Sequence, residues 1–109
     1  GQAKSVMKLL PVIDTIERAI ANVPEELADN AWAKGVASLS KQLDKQLKEI
    51  GLEKINAKPG TLFNPELHQA VQFDEEAEGD KEVIAEELRA GYTLDGVVIR
   101  DAMVKVTRQ

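Results

Sequence analysis

The sequence predicts an α+β protein in which two amphipathic helices precede a small β-rich domain. Apolar residues recur at helical spacing through the first 50 residues, and after Gly51 the pattern changes to short strand-like segments. A third observation is the Asp95-Gly96 pair, which is typical of a tight hairpin between two of those segments. We therefore place a helical dimerisation region at residues 1–50 and a β-rich domain at residues 51–109.

The first helix is predicted from an apolar seam whose members are separated alternately by three and four positions: Val6, Leu9, Ile13, Ile16, Ile20 and Val23. Pro11 lies inside this seam, where a proline removes a backbone hydrogen bond and costs about 3 kcal/mol. We expect tertiary packing to compensate. Because the chain opens on Gly-Gln-Ala-Lys, without Met and already close to the seam, we also expect an upstream portion that this sequence lacks.

The second helix is predicted after a break at Asn22-Val23-Pro24. Either Asp29 or Asn30 can serve as its N-cap, since both side chains accept hydrogen bonds from the first turn. The apolar positions that follow at helical spacing are Trp32, Val36, Leu39, Leu43, Leu47 and Ile50. Gly51 is the expected C-cap.

The two seams together predict a homodimer. A lone pair of helices leaves much of two apolar stripes in water, whereas a second copy completes a four-helix bundle. The alternative is that the helices pack on the β-rich domain of their own chain. The expected dimer interface consists of Val6, Leu9, Ile13, Ile16, Ile20, Val36, Leu39, Leu43 and Leu47.

Six short segments after Gly51 have strand-like or mixed patterns: residues 52–57, 69–73, 83–88, 92–94, 97–99 and 103–107. The Asp95-Gly96 pair tolerates the two positive φ angles of a type I′ turn, and Lys58-Pro59-Gly60 predicts a second turn. Segment 83–88 is predicted as a strand with a helix as the alternative, because Ala85, Glu86 and Glu87 suit a helix equally well.

Composition excludes several classes of function. The net charge of -5 and the absence of any basic run argue against nucleic-acid binding. The absence of cysteine excludes disulfides, thiol catalysis and zinc-cysteine sites. No stretch has the roughly 18 consecutive apolar residues of a membrane span, and no signal-peptide pattern is present, so we expect a cytoplasmic protein.

No catalytic or cofactor motif is evident. His68 has only Asn64 and Glu66 nearby in sequence, so a structural or contact role is favoured over catalysis. The acidic run at residues 74–80 lacks the Asp, Asn and Glu spacing of a calcium loop. Gly91 and Gly96 have phosphate-loop spacing, but no Lys follows, so no direct nucleotide binding is expected. We predict neither metal, cofactor nor enzymatic activity. Arg18 and Arg100 are each either surface charges or partner anchors.

Two parts of the sequence resemble the GrpE family of co-chaperones. Residues 9–19, Leu-Leu-Pro-Val-Ile-Asp-Thr-Ile-Glu-Arg-Ala, look like the end of the long GrpE helix. The more specific match is residues 63–71, Phe-Asn-Pro-Glu-Leu-His-Gln-Ala-Val, followed after 19 residues by segment 91–106, which begins Gly-Tyr-Thr-Leu-Asp-Gly. The resemblance extends over nearly the whole chain, from about Lys8 to Val106.

The resemblance implies a homodimeric nucleotide exchange factor whose β-domain docks on the ATPase domain of a DnaK-type chaperone and promotes ADP release. It places the contact at Phe63, Pro65, Ala70, Leu88, Val97, Arg100 and Val106, with a secondary contact at Arg18 and around Gly35. Val97 stands where the family often has a polar or basic residue, so an ionic contact is not expected there. Heat response and substrate release, which involve the upstream helix, are not assigned to this chain. The rival classes are an enzyme, which the lack of motifs disfavours, and a dimeric scaffold without exchange activity.

Overall fold

A computed structural model describes residues 2–27 and 29–109 of the chain. The described residues form helix α1 (Gln2–Ala21), a 3-10 turn (Glu25–Leu27), helix α2 (Ala31–Glu49) and the strands β1 (Leu52–Lys54), β2 (His68–Phe73), β3 (Glu82–Arg89), β4 (Tyr92–Leu94), β5 (Val97–Arg100) and β6 (Ala102–Arg108). Helices before strands confirm the predicted α+β class. The chain divides into two compact units, a helical one ending at Gly51 and a β-rich one beginning at Leu52. None of the helices in the described ranges has the length and apolar character needed to cross a membrane.

Helix α1 continues through Pro11, whose carbonyl oxygen accepts a hydrogen bond of 2.9 Å from the Thr15 hydroxyl. Its predicted seam divides into two sets. Val6 and Ile13 are buried in the single chain together with Leu10, which is 1% exposed and lies outside the predicted seam. Leu9 and Ile16 are exposed, because they lie on a neighbouring stripe of the same helix.

Helix α2 begins at one of its two predicted N-caps, whereas its C-cap is Ile50, one residue before the predicted Gly51. Asn30 is the N-cap, and its side-chain oxygen accepts from the Trp32 backbone N–H at 2.8 Å. Gly51 follows the last turn with a φ of 90°, a conformation that favours glycine, and its N–H donates to the Lys48 carbonyl at 3.0 Å. The side of α2 that is buried or half-buried carries Ala33, Val36, Ser40, Leu43 and Leu47.

The first sheet is antiparallel, in the order β1-β4-β5. Strands β4 and β5 are joined by Asp95 and Gly96, whose φ angles are 49° and 84°. Both positive angles agree with the predicted type I′ hairpin. Strand β1 is shorter than predicted segment 52–57: it ends at Lys54, although the Ile55 N–H still donates to the Gly91 carbonyl at 2.9 Å, and Ile55 and Ala57 are buried in the core.

The second sheet has the order β2-β6-β3, with β2 parallel and β3 antiparallel to the central strand β6. Segment 83–88 is therefore a strand, paired along β6 with Ile84 opposite Val106. Buried and half-buried side chains alternate along β6, so that Ala102, Val104 and Val106 point into the core. The core cluster of this unit contains Ile55, Ala57, Ile84, Ala102, Val104 and Val106.

Candidate functional site

The turn between Asn64 and His68 is stabilised by the backbone and side chain of Asn64. The Asn64 carbonyl accepts from the N–H groups of Leu67 and His68 at 2.9 and 2.8 Å. Its side-chain oxygen accepts from the Glu66 N–H at 2.9 Å. This arrangement leaves Pro65 and Glu66 exposed at the outside of the turn.

His68 lies beneath this turn and is 3% exposed. Its Nδ1 accepts a hydrogen bond of 3.0 Å from the Asn64 backbone N–H, and its Nε2 lies 2.8 Å from the Asn56 carbonyl oxygen. The ring centroids of His68 and Phe63 are 6.0 Å apart. Both ring nitrogens are bound to backbone groups, so the arrangement fits the structural role expected for His68.

Phe63 and Ala70 are less exposed than a purely surface contact requires. Both are half-buried and pack against the core cluster, so the sequence-based picture of an exposed Phe63 needs correction. Only part of the Phe63 ring is available to a partner, whereas Pro65 is exposed. The candidate surface is therefore the hydrogen-bonded turn at Asn64–His68, which packs on the core cluster through the neighbouring side chains of Phe63 and Ala70.

The Arg100 side chain is hydrogen-bonded to a backbone carbonyl of its own chain. Its Nε and Nη2 atoms both donate to the Ala90 carbonyl oxygen, at 3.0 and 2.6 Å. Its guanidinium carbon lies 5.4 Å from the centroid of the Tyr92 ring, within cation-π range. The half-buried side chain thus links strand β5 to the backbone just before β4.

The other predicted contact residues of this unit differ in accessibility. Val97, beside the hairpin turn, is 65% exposed, and Leu88 on β3 is 39% exposed. Val106 is only 2% exposed and belongs to the core, because it faces inward from the central strand. Its side chain therefore does not contribute to a surface contact, which corrects the expectation for Val106.

In the helical unit, Arg18 and Gly35 are both exposed, and a β-carbon added at Gly35 would have no atom within 4 Å. Of the expected dimer residues, Leu9, Ile16 and Leu39 are exposed, Ile20, Val36, Leu43 and Leu47 are half-buried, and Val6 and Ile13 are buried in the single chain. Val12 and Trp32, which are not among the expected dimer residues, are 55% and 74% exposed. By helical periodicity Val12 lies on the same stripe as Leu9, and Trp32 on the same stripe as Leu39.

The acidic segment 74–80 connects β2 to β3. Asp74 accepts a hydrogen bond of 3.2 Å from the Thr107 hydroxyl, and its backbone N–H donates to Val106. Across residues 2–27 and 29–109, no group of three or more His, Asp or Glu side chains is arranged to hold a metal ion.

Comparison with known proteins gives consistent matches. The family model described as GrpE matches residues 1–108. The chain is 44% identical over 101 residues to Protein GrpE of Halalkalibacterium halodurans, covering 93% of this chain and 52% of the relative. It is 41% identical over 108 residues to Protein GrpE of Staphylococcus carnosus, covering 98% of this chain and 54% of the relative. The chain thus spans about half the length of the curated relatives it matches.

Proposed function

The chain belongs to the GrpE family, and from this premise we propose that it is a nucleotide exchange factor for the ATPase domain of a DnaK-type chaperone. It binds the chaperone with its nucleotide cleft open and thereby promotes ADP release. The observation that carries the proposal is the family match over residues 1–108, which includes segments 63–71 and 91–106 and therefore the turn at Asn64–His68 and the β4–β5 hairpin. The chain is proposed to perform no covalent chemistry.

The proposed contact surface consists of the exposed turn and hairpin of the β-rich unit. It includes Pro65, the accessible part of Phe63 and Ala70, and the exposed residues Leu88 and Val97. Arg100, which is half-buried and hydrogen-bonded to the Ala90 carbonyl, is included for its positive charge. Arg18 and the open surface at Gly35 are proposed as a secondary contact, and Val106 supports the surface from within the core.

We further propose that the active species is a homodimer formed through the helical unit. Leu9, Val12 and Ile16 on α1 and Trp32 and Leu39 on α2 are exposed in the single chain, Leu39 by 62%. Aliphatic and aromatic side chains recurring at helical spacing on both helices are typical of a face that a second helical pair covers. Burying this face in a four-helix bundle would remove it from water.

Exchange activity then depends on differential affinity. A binding partner shifts a conformational equilibrium only by the difference between its affinities for the two states. Reciprocity requires that nucleotide weaken the binding of this chain by the same factor by which this chain weakens nucleotide binding. A hundredfold difference, about 3 kcal/mol, is enough to change which state predominates.

The test is stopped-flow release of a fluorescent ADP from a DnaK-type ATPase domain, with and without this chain. We expect faster release, together with weaker binding of the chain when ADP or ATP is in excess. Equal affinity for nucleotide-free and nucleotide-bound chaperone would exclude the mechanism even if binding were tight. Tight binding without faster release would instead support the alternative of a dimeric scaffold.

A further inference from the structure

We propose that His68 is a positioning residue for the chaperone contact. In its neutral form, protonated on Nε2, it fixes the turn that presents Pro65 and Phe63. The inference rests on the proposed function, since it concerns how the same surface is held.

The hydrogen-bond partners determine which nitrogen carries the proton. The Asn64 backbone N–H is a donor, so Nδ1 at 3.0 Å must be unprotonated to accept from it. The Asn56 carbonyl is an acceptor, so Nε2 at 2.8 Å must carry the hydrogen. His68 is 3% exposed, which leaves little room for water to replace either partner.

The His68 ring connects strand β2 to two segments outside the strands, one containing Asn56 and the other containing Asn64. His68 is the first residue of β2 and lies opposite Ala102, which is fully buried at the start of central strand β6. From this anchor the ring holds the N–H of Asn64 on one side and the carbonyl of Asn56, 12 residues earlier, on the other. The Asn64 carbonyl in turn accepts from the backbone N–H groups of Leu67 and His68. The backbone of Asn64 is thus held through both its N–H and its carbonyl.

An apolar residue at position 68 would fill the same volume but could not make the two hydrogen bonds of the imidazole ring. Leucine at position 68 would occupy a comparable volume, but it would leave the partly buried Asn64 N–H and Asn56 carbonyl without their His68 partner, and each such loss is costly. The two hydrogen bonds also differ in consequence. The bond from Nδ1 sets the conformation of the turn that carries Pro65, whereas the bond from Nε2 fixes the segment before Lys58.

Two isosteric substitutions separate the bonds. In His68→Asn the amide oxygen lies near the position of Nδ1 and can accept from Asn64, while the contact with Asn56 is lost. In His68→Gln the amide nitrogen lies near the position of Nε2 and can donate to Asn56, while the acceptor for Asn64 is lost. Each variant keeps one polar contact, so their thermal stabilities provide the matched comparison.

The experiment measures binding of nucleotide-free DnaK-type ATPase domain to the full chain by calorimetry, alongside thermal melting. We expect His68→Asn to bind within about threefold of wild type and His68→Gln to bind about tenfold more weakly or worse, since one lost buried bond is enough for such a change. This order should hold even if His68→Asn is the less stable variant. Equal binding by both variants, or weakening that follows only their loss of stability, would overturn the positioning role.

A measurement on the wild-type chain keeps the inference testable if the variants do not fold. The ¹⁵N chemical shifts of the His68 ring should identify Nδ1 as the unprotonated nitrogen and Nε2 as the protonated one. The opposite tautomer would refute the proposed geometry. A wild-type chain that binds no chaperone would overturn the proposed function and this role with it, whereas a wild type that binds as tightly as His68→Leu would overturn the role alone.

Discussion

The backbone of Gly91 lies directly against the backbone of Ala102, so closely that a β-carbon at position 91 would come within 3.0 Å of both Ala102 and Asp101. Real β-carbons essentially never approach backbone atoms at that distance. We therefore expect Gly91→Ala to displace the start of β6 and to lower the free energy of unfolding by about 3 kcal/mol or more. Urea denaturation of the two chains would measure the difference.

Gly35→Ala is the matched control for that substitution. Gly35 lies inside α2, and an added β-carbon meets nothing within 4 Å. The same chemical change should therefore stabilise the chain by about 0.5–1 kcal/mol through helix propensity alone. If Gly91→Ala unfolds at the same urea concentration as Gly35→Ala, the close approach of the two backbones is not a constraint on stability.

Leu39→Asp should dissociate the proposed dimer. Leu39 is 62% exposed in the single chain, so the carboxylate would be solvated in a monomer but buried without a partner in a bundle. We expect sedimentation to change from dimer to monomer, and the dependence of the melting temperature on protein concentration to disappear. Lys41→Asp is the control, because residues two positions apart lie on nearly opposite sides of a helix. A dimer that survives Leu39→Asp, or is lost equally in Lys41→Asp, would place the interface elsewhere.

Replacing Arg100 distinguishes its two roles. Arg100→Ala removes both donors to the Ala90 carbonyl, and we expect a loss of about 1–2 kcal/mol in stability, as for hydrogen bonds to charged groups. Arg100→Lys keeps the charge but not the planar pair of donors, so it should lose stability while retaining more of the chaperone affinity. Thermal melting and calorimetry together test this. Unchanged melting of Arg100→Ala would show that the bonds to Ala90 contribute nothing to stability.

Pro65→Ala and Phe63→Ala should both weaken chaperone binding but differ in their effect on folding. Pro65 is exposed, so its truncation should change stability by less than about 1 kcal/mol. Phe63 packs against the core, and its truncation should cost about 2 kcal/mol in addition to affinity. Leu62→Ala is the control, since Leu62 is a neighbouring apolar residue that is 61% exposed and outside the proposed contact. Calorimetry that shows equal affinity for all three variants and the wild type would move the contact away from this turn.

The features that could be predicted from the sequence are those that nearby residues determine. Asn30 begins α2 because its side chain caps the first turn, and Gly51 follows the C-cap Ile50 because glycine tolerates positive φ. Asp95-Gly96 forms a hairpin because both residues tolerate positive φ. Segment 83–88 was ambiguous because its local composition suits either structure. Pairing with β6 decides it, and that pairing depends on residues about 20 positions away.

The candidate site was less predictable, because the burial and contacts of its residues also depend on parts of the chain that are distant in sequence. The signature gives its residues but not their burial, so Val106 was expected at the surface although it faces inward from the central strand. The partner of His68 at Asn56 lies in a segment that the sequence pattern does not connect to it. The exposed stripes of the helices were only partly identified, because a seam read at alternating steps of three and four mixes Val6 and Ile13 with Leu9 and Ile16.

The central position of β6 has a consequence for biosynthesis. In the described part of the chain, strands β2 and β3 do not pair with each other; both pair with Ala102–Arg108, and β3 has further backbone hydrogen bonds to residues 60–63. During translation, β2 and β3 leave the ribosome before the strand that must lie between them. The order β2-β6-β3 therefore cannot be completed until residues 102–108 have emerged from the exit tunnel. Until then, Ile84 and the other apolar residues of the nascent unit remain accessible to the same chaperones that the finished protein is proposed to regulate.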